Sequence, residues 1–393
     1  MSQLLYFAKS QLFWHQKNNA NTAVSCQAVE QYKINLREVN QRKAWKTQGA
    51  GAAFMGVARH EEDDDIYEEG IFPSDAVFIE PNKIVYTACL HGGTAIYIKD
   101  LAASEDRAEG LVLRRNDFRI QDIDYDAPNK RLAISASSYA HSQHLAILEL
   151  DSARIDFITE GDCLDCNPCF DPNHSDIIYY DSCGFGVDEQ GRFCELGLRG
   201  ICRLNLKTGD VDEIVTTPGF DFLKPQIDHK GNLYFIKRPH DSGKDESVSI
   251  KDIVLAPVKI TKAIVGWLDF FTRRYAGESL KTTTGRNPAK AKQKSEEELF
   301  IEGNLINVQK TLEENQKAGE KYPGIAPKSW ELIQMTPDGK QTILKKGILA
   351  YALKDDGTIF YSNGKHLIEL APDQTEKLLM EENLVSKIIC SLL

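Results

Sequence analysis

The cysteines are the residues of this chain with the most chemistry to offer, and they are not evenly spread. Of nine, six fall between Cys163 and Cys202. Cys163, Cys166 and Cys169 follow one another at three-residue intervals, and Cys183 and Cys194 come next. Thiolates in pairs are ligands for tetrahedral zinc, which takes two from each of two loops. Cys163, Cys166, Cys183 and Cys194 are therefore the candidate set for a zinc ion, although the ten residues between the second pair are not a standard knuckle. Cys169, within NPCFDP, is expected to point into sheet packing and is the weakest ligand. The plainer reading is that these are reduced thiols filling small core positions. An iron–sulfur cluster lacks its further ligand at ferredoxin spacing.

Histidines are the second set. His15, His91, His141, His144 and His240 each fall near the end of a strand-like run, where loops from different parts of the chain meet. Gathered on one face they would suit a metal or an anion; scattered, they are solvated loop residues. Other sources of chemistry fail on spacing. Gly49 to Gly56 lacks the G-x-G-x-x-G pattern, GESLKTTTG lacks the Gly-Lys-Ser/Thr ending of a phosphate loop, and no G-x-S-x-G elbow is present.

The elements that must position these residues repeat. Asn167 to Thr217 reads as four short runs rich in β-branched and aromatic residues, NPCFDP, IIYYDSC, GICRLNL and VDEIVTT, punctuated by NHSD and KTGD. Four strands make one propeller blade. Similar units begin near Asp75, Ile123, Leu223 and Leu349, and an N-terminal unit combines LLYFAKSQLFWHQ with YKINLREVNQRKAWKT. The sequence thus predicts an all-β fold, a single-domain β-propeller of about six blades over residues 1–393. The last segment, LVSKIICSLL, is expected to be one more strand and to clasp the N-terminal blade.

The P-x-F-x-P turn followed by strand, loop, strand and TGD resembles the repeats of TolB-like propellers and of the propeller domain in prolyl oligopeptidases. NPCFDPNHSDIIYY and LKPQIDHKGNLYFIKRP carry the likeness. It is a likeness of repeats, and it implies the fold alone, because the hydrolase half and its nucleophile elbow are missing here.

One stretch breaks the alternation. Residues 241–328 read as a helical insertion in the fifth blade, the first helix spanning about 253–275 and the second running through EELFIEGNLINVQKTLEENQKAGEK toward Gly319 or Pro323. Trp267, Phe270, Phe271, Arg273 and Arg274 give the first helix an aromatic face flanked by cations. It would serve as wall packing, as a lid, or as a contact for a partner or a membrane surface.

Composition narrows the functions. A net charge of −11 argues against a nucleic-acid partner. The first residues lack the pattern of a signal peptide, and no run of 18 apolar residues occurs, so the expected compartment is cytoplasmic. The leading expectation is a non-enzymatic scaffold that binds a protein partner through the loops after each second strand and the insertion. A metal-dependent hydrolase or lyase in the channel, and a membrane-surface sensor, are the alternatives.

Overall fold

The computed structural model describes residues 3–16, 21–43, 70–103, 109–137, 142–187, 193–240, 298–301 and 304–391. Six antiparallel sheets, each a meander of four strands, form a β-propeller. From the innermost strand outward, blade II is Phe72–Glu80, Lys83–Leu90, Gly93–Asp100 and Glu109–Arg115. Blade III is Arg119–Asp126, Arg131–Ser137, His144–Glu149 and Ile155–Phe157. Blade IV is Cys163–Asp171, His174–Val187, Gly200–Asn205 and Val211–Val215, with Phe193–Leu196 paired to the far end of its long second strand. Blade V is Phe220–Ile227, Leu233–Pro239, Glu331–Met335 and Gln341–Lys346; blade VI is Ala350–Leu353, Ile359–Ser362, His366–Leu370 and Glu376–Glu381.

Blade I is built from both ends of the described chain. Lys387–Cys390 pairs with Leu4–Ala8 as the innermost strand, followed by Gln11–His15 and the two-residue strand Thr22–Ala23. The clasp expected from LVSKIICSLL is therefore the inner position of the first blade. Closure leaves Leu4–Ala8 without an open inner edge.

Alternation along the strands sends one set of side chains toward each neighbouring blade. Six apolar clusters result, one at each junction. Leu5, Phe7 and Leu12 meet Ile71 and Ala76 between blades I and II, and Leu4, Tyr6 and Ile388 meet Ala350, Phe360 and Leu367 between blades VI and I. Phe222 and Phe235 pack edge to face at the junction of blades IV and V, their centroids 5.5 Å apart. Turns follow the expected chemistry: in KTGD, Gly209 takes φ +77°, a conformation costly for a side chain, while the Asn205 side chain accepts the N–H groups of Lys207 and Thr208.

Two elements differ from expectation. YKINLREVNQRK belongs to helix α1 (Gln27–Lys43), not to a strand; Val29, Tyr32 and Leu36, at i, i+3 and i+7, pack on the cluster between blades I and II. The second helical pattern of the insertion is helix α2 only over Val308–Lys317, capped by the Asn307 side chain on the N–H of Lys310; before it, Glu298–Ile301 and Asn304–Asn307 form a β-hairpin. Both lie between the second and third strands of blade V. Trp267, Phe270, Phe271, Arg273 and Arg274 lie outside the described residues.

Candidate functional site

The inner strands of blades II to V are not regular. Each carries a bulge, at Pro73/Asp75, Ile120/Asp122, Cys166/Cys169 and Leu223/Gln226, and the strands of blades II and IV shift again farther along, at Phe78/Glu80 and Phe170/Asp171. A bulge re-aims the residues beside it. Asn167 and Lys224 take φ +49° and +55°, conformations that non-glycine residues occupy only under constraint. The four bulges present Asp75, Asp122, Asn167 and Lys224.

These side chains knit each blade to the next. Asp75 accepts the N–H of Ile123 at 2.7 Å, Asp122 that of Asn167 at 3.3 Å, and Asp124 that of Phe170 at 2.7 Å. Asp181, on the second strand of blade IV, accepts the N–H of Lys224 at 2.8 Å and the amide of Asn167 at 2.7 Å. Gln226 accepts the N–H of Leu353 at 3.0 Å, and Tyr351 donates its hydroxyl to the carbonyl of Lys224 at 2.6 Å. Lys224 Nζ reaches the carbonyls of Leu349 and Ser386, each at 3.2 Å. Lys387, on the clasp strand, pairs with Asp75 and lies 3.8 Å from Asp122. Every blade takes part, and the circuit closes.

Burial dominates the electrostatics of this layer. It pushes the Asp75 carboxyl up to about 6, against the pull of Lys387. It pushes Asp124 to about 6 as well, against the N–H of Phe170. Asp181 is raised by burial too, while Arg199, 2.5 Å away, favours its charged form.

On one side of this layer the channel widens into a cavity of roughly 540 Å³, whose rim is made of the turns between first and second strands. Pro128, Pro172, His229 and Asp355 belong to that rim; Tyr125, Phe170, Ile227 and Leu353 line the wall. Cys169 and Cys390 also line it. Cys169 thus faces the channel instead of sheet packing, because the bulge at Asn167 interrupts the alternation that would have turned it inward. The rim carboxylates mostly hold their own turns: Asp126 pairs with Arg131 at 2.8 Å, and Asp228 accepts the N–H groups of Lys230 and Asn232.

The opposite end of the channel carries several of the residues singled out by type. Cys163 and Cys166 lie within the inner strand of blade IV, not in the loop before it. Three residues apart on a strand, they face opposite sides. Cys166 joins Leu164 and Cys183 in an apolar cluster, and Cys183 accepts an N–H of the buried Arg199 guanidinium at 3.1 Å. Cys163 instead stands beside His144 and Asp165: Sγ is 3.8 Å from His144 Nδ1 and donates to Asp165 Oδ2 at 3.4 Å. The structure therefore does not bring Cys163, Cys166 and Cys183 to one point; for Cys194 it gives a place on the strand Phe193–Leu196 and no more.

The histidines are likewise dispersed. His15 ends a strand and bonds Asn21 at 2.6 Å; His91 is an exposed turn residue; His141 lies outside the described residues. His144 opens the third strand of blade III instead of lying in the loop before it. His240 contacts Asp221 at 2.7 Å, and Asp221 also accepts the N–H of Arg199 and lies 3.6 Å from Arg238. The residues that the sequence did not flag, Asp75, Asp122, Asp181, Lys224 and Lys387, make the most connected polar structure in the described protein.

No family model matches the sequence, and no curated protein matches it. Solved structures resemble it. TolB from Acinetobacter baumannii is 10% identical with a TM-score of 0.49, covering 99% of this chain and 66% of its own, so this chain spans just under two thirds of that protein. A nidogen/laminin complex chain is 7% identical, TM-score 0.49, covering 100% of this chain and 99% of its own. The tricorn protease is 12% identical, TM-score 0.45, with 98% and 34% covered. The likeness is one of fold.

Proposed function

We propose that this propeller is a non-catalytic binding scaffold, and that a segment of a partner protein docks in the cavity at the turn-side mouth of its channel. What carries the reading is the contrast between that cavity and its floor. The cavity is concave and mixed in character, with tyrosine, phenylalanine, isoleucine and proline on its walls, the surface that binding sites favour. Its floor holds the buried carboxylates of Asp75 and Asp181 and the half-buried one of Asp124, yet all three accept main-chain N–H groups of the next blade. Groups spent on holding blades together make a rigid recess rather than an acid–base pair aimed at substrate. The face also differs from that of the expected loops: docking is assigned to the turns after each first strand. The net charge of −11 favours approach by a cationic partner surface.

A photo-crosslinking residue placed at Pro172 tests this in cells, with the exposed Leu111 on the outer strand of blade II as control. The scaffold reading expects one discrete protein adduct from position 172, lost when Asp355→Lys or Pro128→Trp alters the rim. Identical adducts from both positions, or none, would reject it.

A further inference from the structure

The grouping of His144, Cys163 and Asp165 is independent of the cavity and has the form of a metal site. Their ligand atoms all lie within 4.8 Å of one another. The two separations on Cys163 Sγ, 3.8 Å to His144 and 3.4 Å to Asp165, bracket the edge of a zinc tetrahedron. Bonds of about 2.3 Å to sulfur and about 2.05 Å to nitrogen or oxygen give an edge of about 3.5 Å.

The three are also held there. Cys163 and Asp165, two apart on one strand, share a face. Gln143, the residue before His144, forms a parallel bridge with Leu164; its N–H goes to the Cys163 carbonyl at 3.0 Å and its carbonyl accepts the Asp165 N–H at 2.9 Å. That bridge fixes the start of His144's strand against the start of the strand carrying the other two. The second carboxylate oxygen of Asp165 accepts the Ser182 hydroxyl at 2.6 Å, an outer contact that orients the first. Asp165 is buried, whereas His144 and Cys163 are half-exposed, so an ion has a path in.

We propose that His144, Cys163 and Asp165 bind one zinc ion, with a fourth position left for water or an exogenous donor. Imidazole, thiolate and carboxylate together match a borderline divalent cation and disfavour magnesium or calcium, which take oxygen ligands. Three protein ligands with an open position distinguish the site from the closed four-ligand kind. Without metal the same thiol holds its proton: burial, then Asp165, pushes it up to about 12. On binding, its proton leaves to solvent and the Sγ–metal bond takes its place.

The test is titration of the chelator-stripped full chain with cobalt(II) alone, read by thiolate-to-cobalt charge transfer and the intense visible bands of tetrahedral cobalt, followed by displacement with zinc. One cobalt per chain with both signatures is expected. Cys163→Ser abolishes the charge-transfer band, and His144→Gln weakens binding beyond the roughly 10–100-fold loss typical of an outer-shell partner. Cys166→Ser and Cys183→Ser keep the band, with circular dichroism confirming that each variant is folded. No cobalt uptake, or a band that survives Cys163→Ser, overturns the site. Loss on Cys166→Ser or Cys183→Ser overturns this ligand set in favour of the cysteine quartet.

Discussion

Replacing Lys387 by Met should destabilise the propeller at neutral pH and do so much less in acid. Lys387 is the channel-floor cation paired with Asp75, 29% exposed, facing the wholly buried Asp75 and, at 3.8 Å, the nearly buried Asp122. Removing one partner of a buried pair costs about 3–5 kcal/mol; partial exposure of the lysine favours the lower end, about 3 kcal/mol. With an unfolding entropy near 2.1 cal/mol/K per residue, a chain this size should lose about 4 °C in Tm. The pH dependence follows from Asp75, raised by burial from 3.8 to about 6. Its contribution to stability is complete below about 4 and is lost as pH rises through about 6, where the folded protein must hold a buried charge. Lys387 offsets that loss. Its removal should therefore matter increasingly as pH rises above about 6 and little near pH 4.5, where Asp75 is protonated with or without the lysine. Urea unfolding of wild type, Lys387→Met, Asp75→Asn and the double variant at pH 8 and 4.5 gives the cycle. A coupling above about 1.5 kcal/mol at pH 8 that falls below about 0.5 kcal/mol at pH 4.5 is expected. An equal loss at both pH values, or additive single effects at pH 8, would show that the lysine acts through packing and refute the reasoning.

Two further outcomes follow. Gly324 lies so close to Asn363 that a Cβ would collide with its side chain and carbonyl, so Gly324→Ala should release the Asn315–Gly324 and Asn363–Tyr322 contacts and make the α2 arm protease-sensitive while blades I to IV resist cleavage. Deleting residues 385–393 removes the inner strand of blade I together with Lys387, and should abolish cooperative unfolding and leave aggregated protein in size-exclusion chromatography; a monomer with near-native Tm would contradict the role given to the clasp.

The blades were legible because strand alternation and Asp, Asn and Gly turns are local signals that recur. Helix α1 was missed in YKINLREVN, where β-forming residues obscured the helical spacing of Val29, Tyr32 and Leu36. The channel floor was not legible. Asp75 and Asp122 read as ordinary strand aspartates, and only the bulges and the neighbouring blade turn them into buried acceptors. For the cysteines, the composition of the motif was visible but its backbone was not. A C-x2-C pair converges when it sits on a turn and diverges on a strand, and Cys163 and Cys166 are on a strand. Cys163 finds its neighbours two residues along, at Asp165, and on the adjoining blade, at His144.

The pairing of Leu4–Ala8 with Lys387–Cys390 also sets a timetable for biosynthesis. The earlier strand emerges from the ribosome about 380 residues before its partner, roughly 20–75 s at 5–20 residues per second. Throughout that interval its inner edge has no mate, and the lysine that compensates Asp75 has not been made. Blades II, III, IV and VI can assemble from contacts close in sequence, blade V must pair strands across its insertion, and closure is the most non-local step and the slowest by contact order. A stalled or truncated chain would consequently display an open strand edge above an uncompensated carboxylate layer, a signature that quality-control factors recognising exposed β-edges can read.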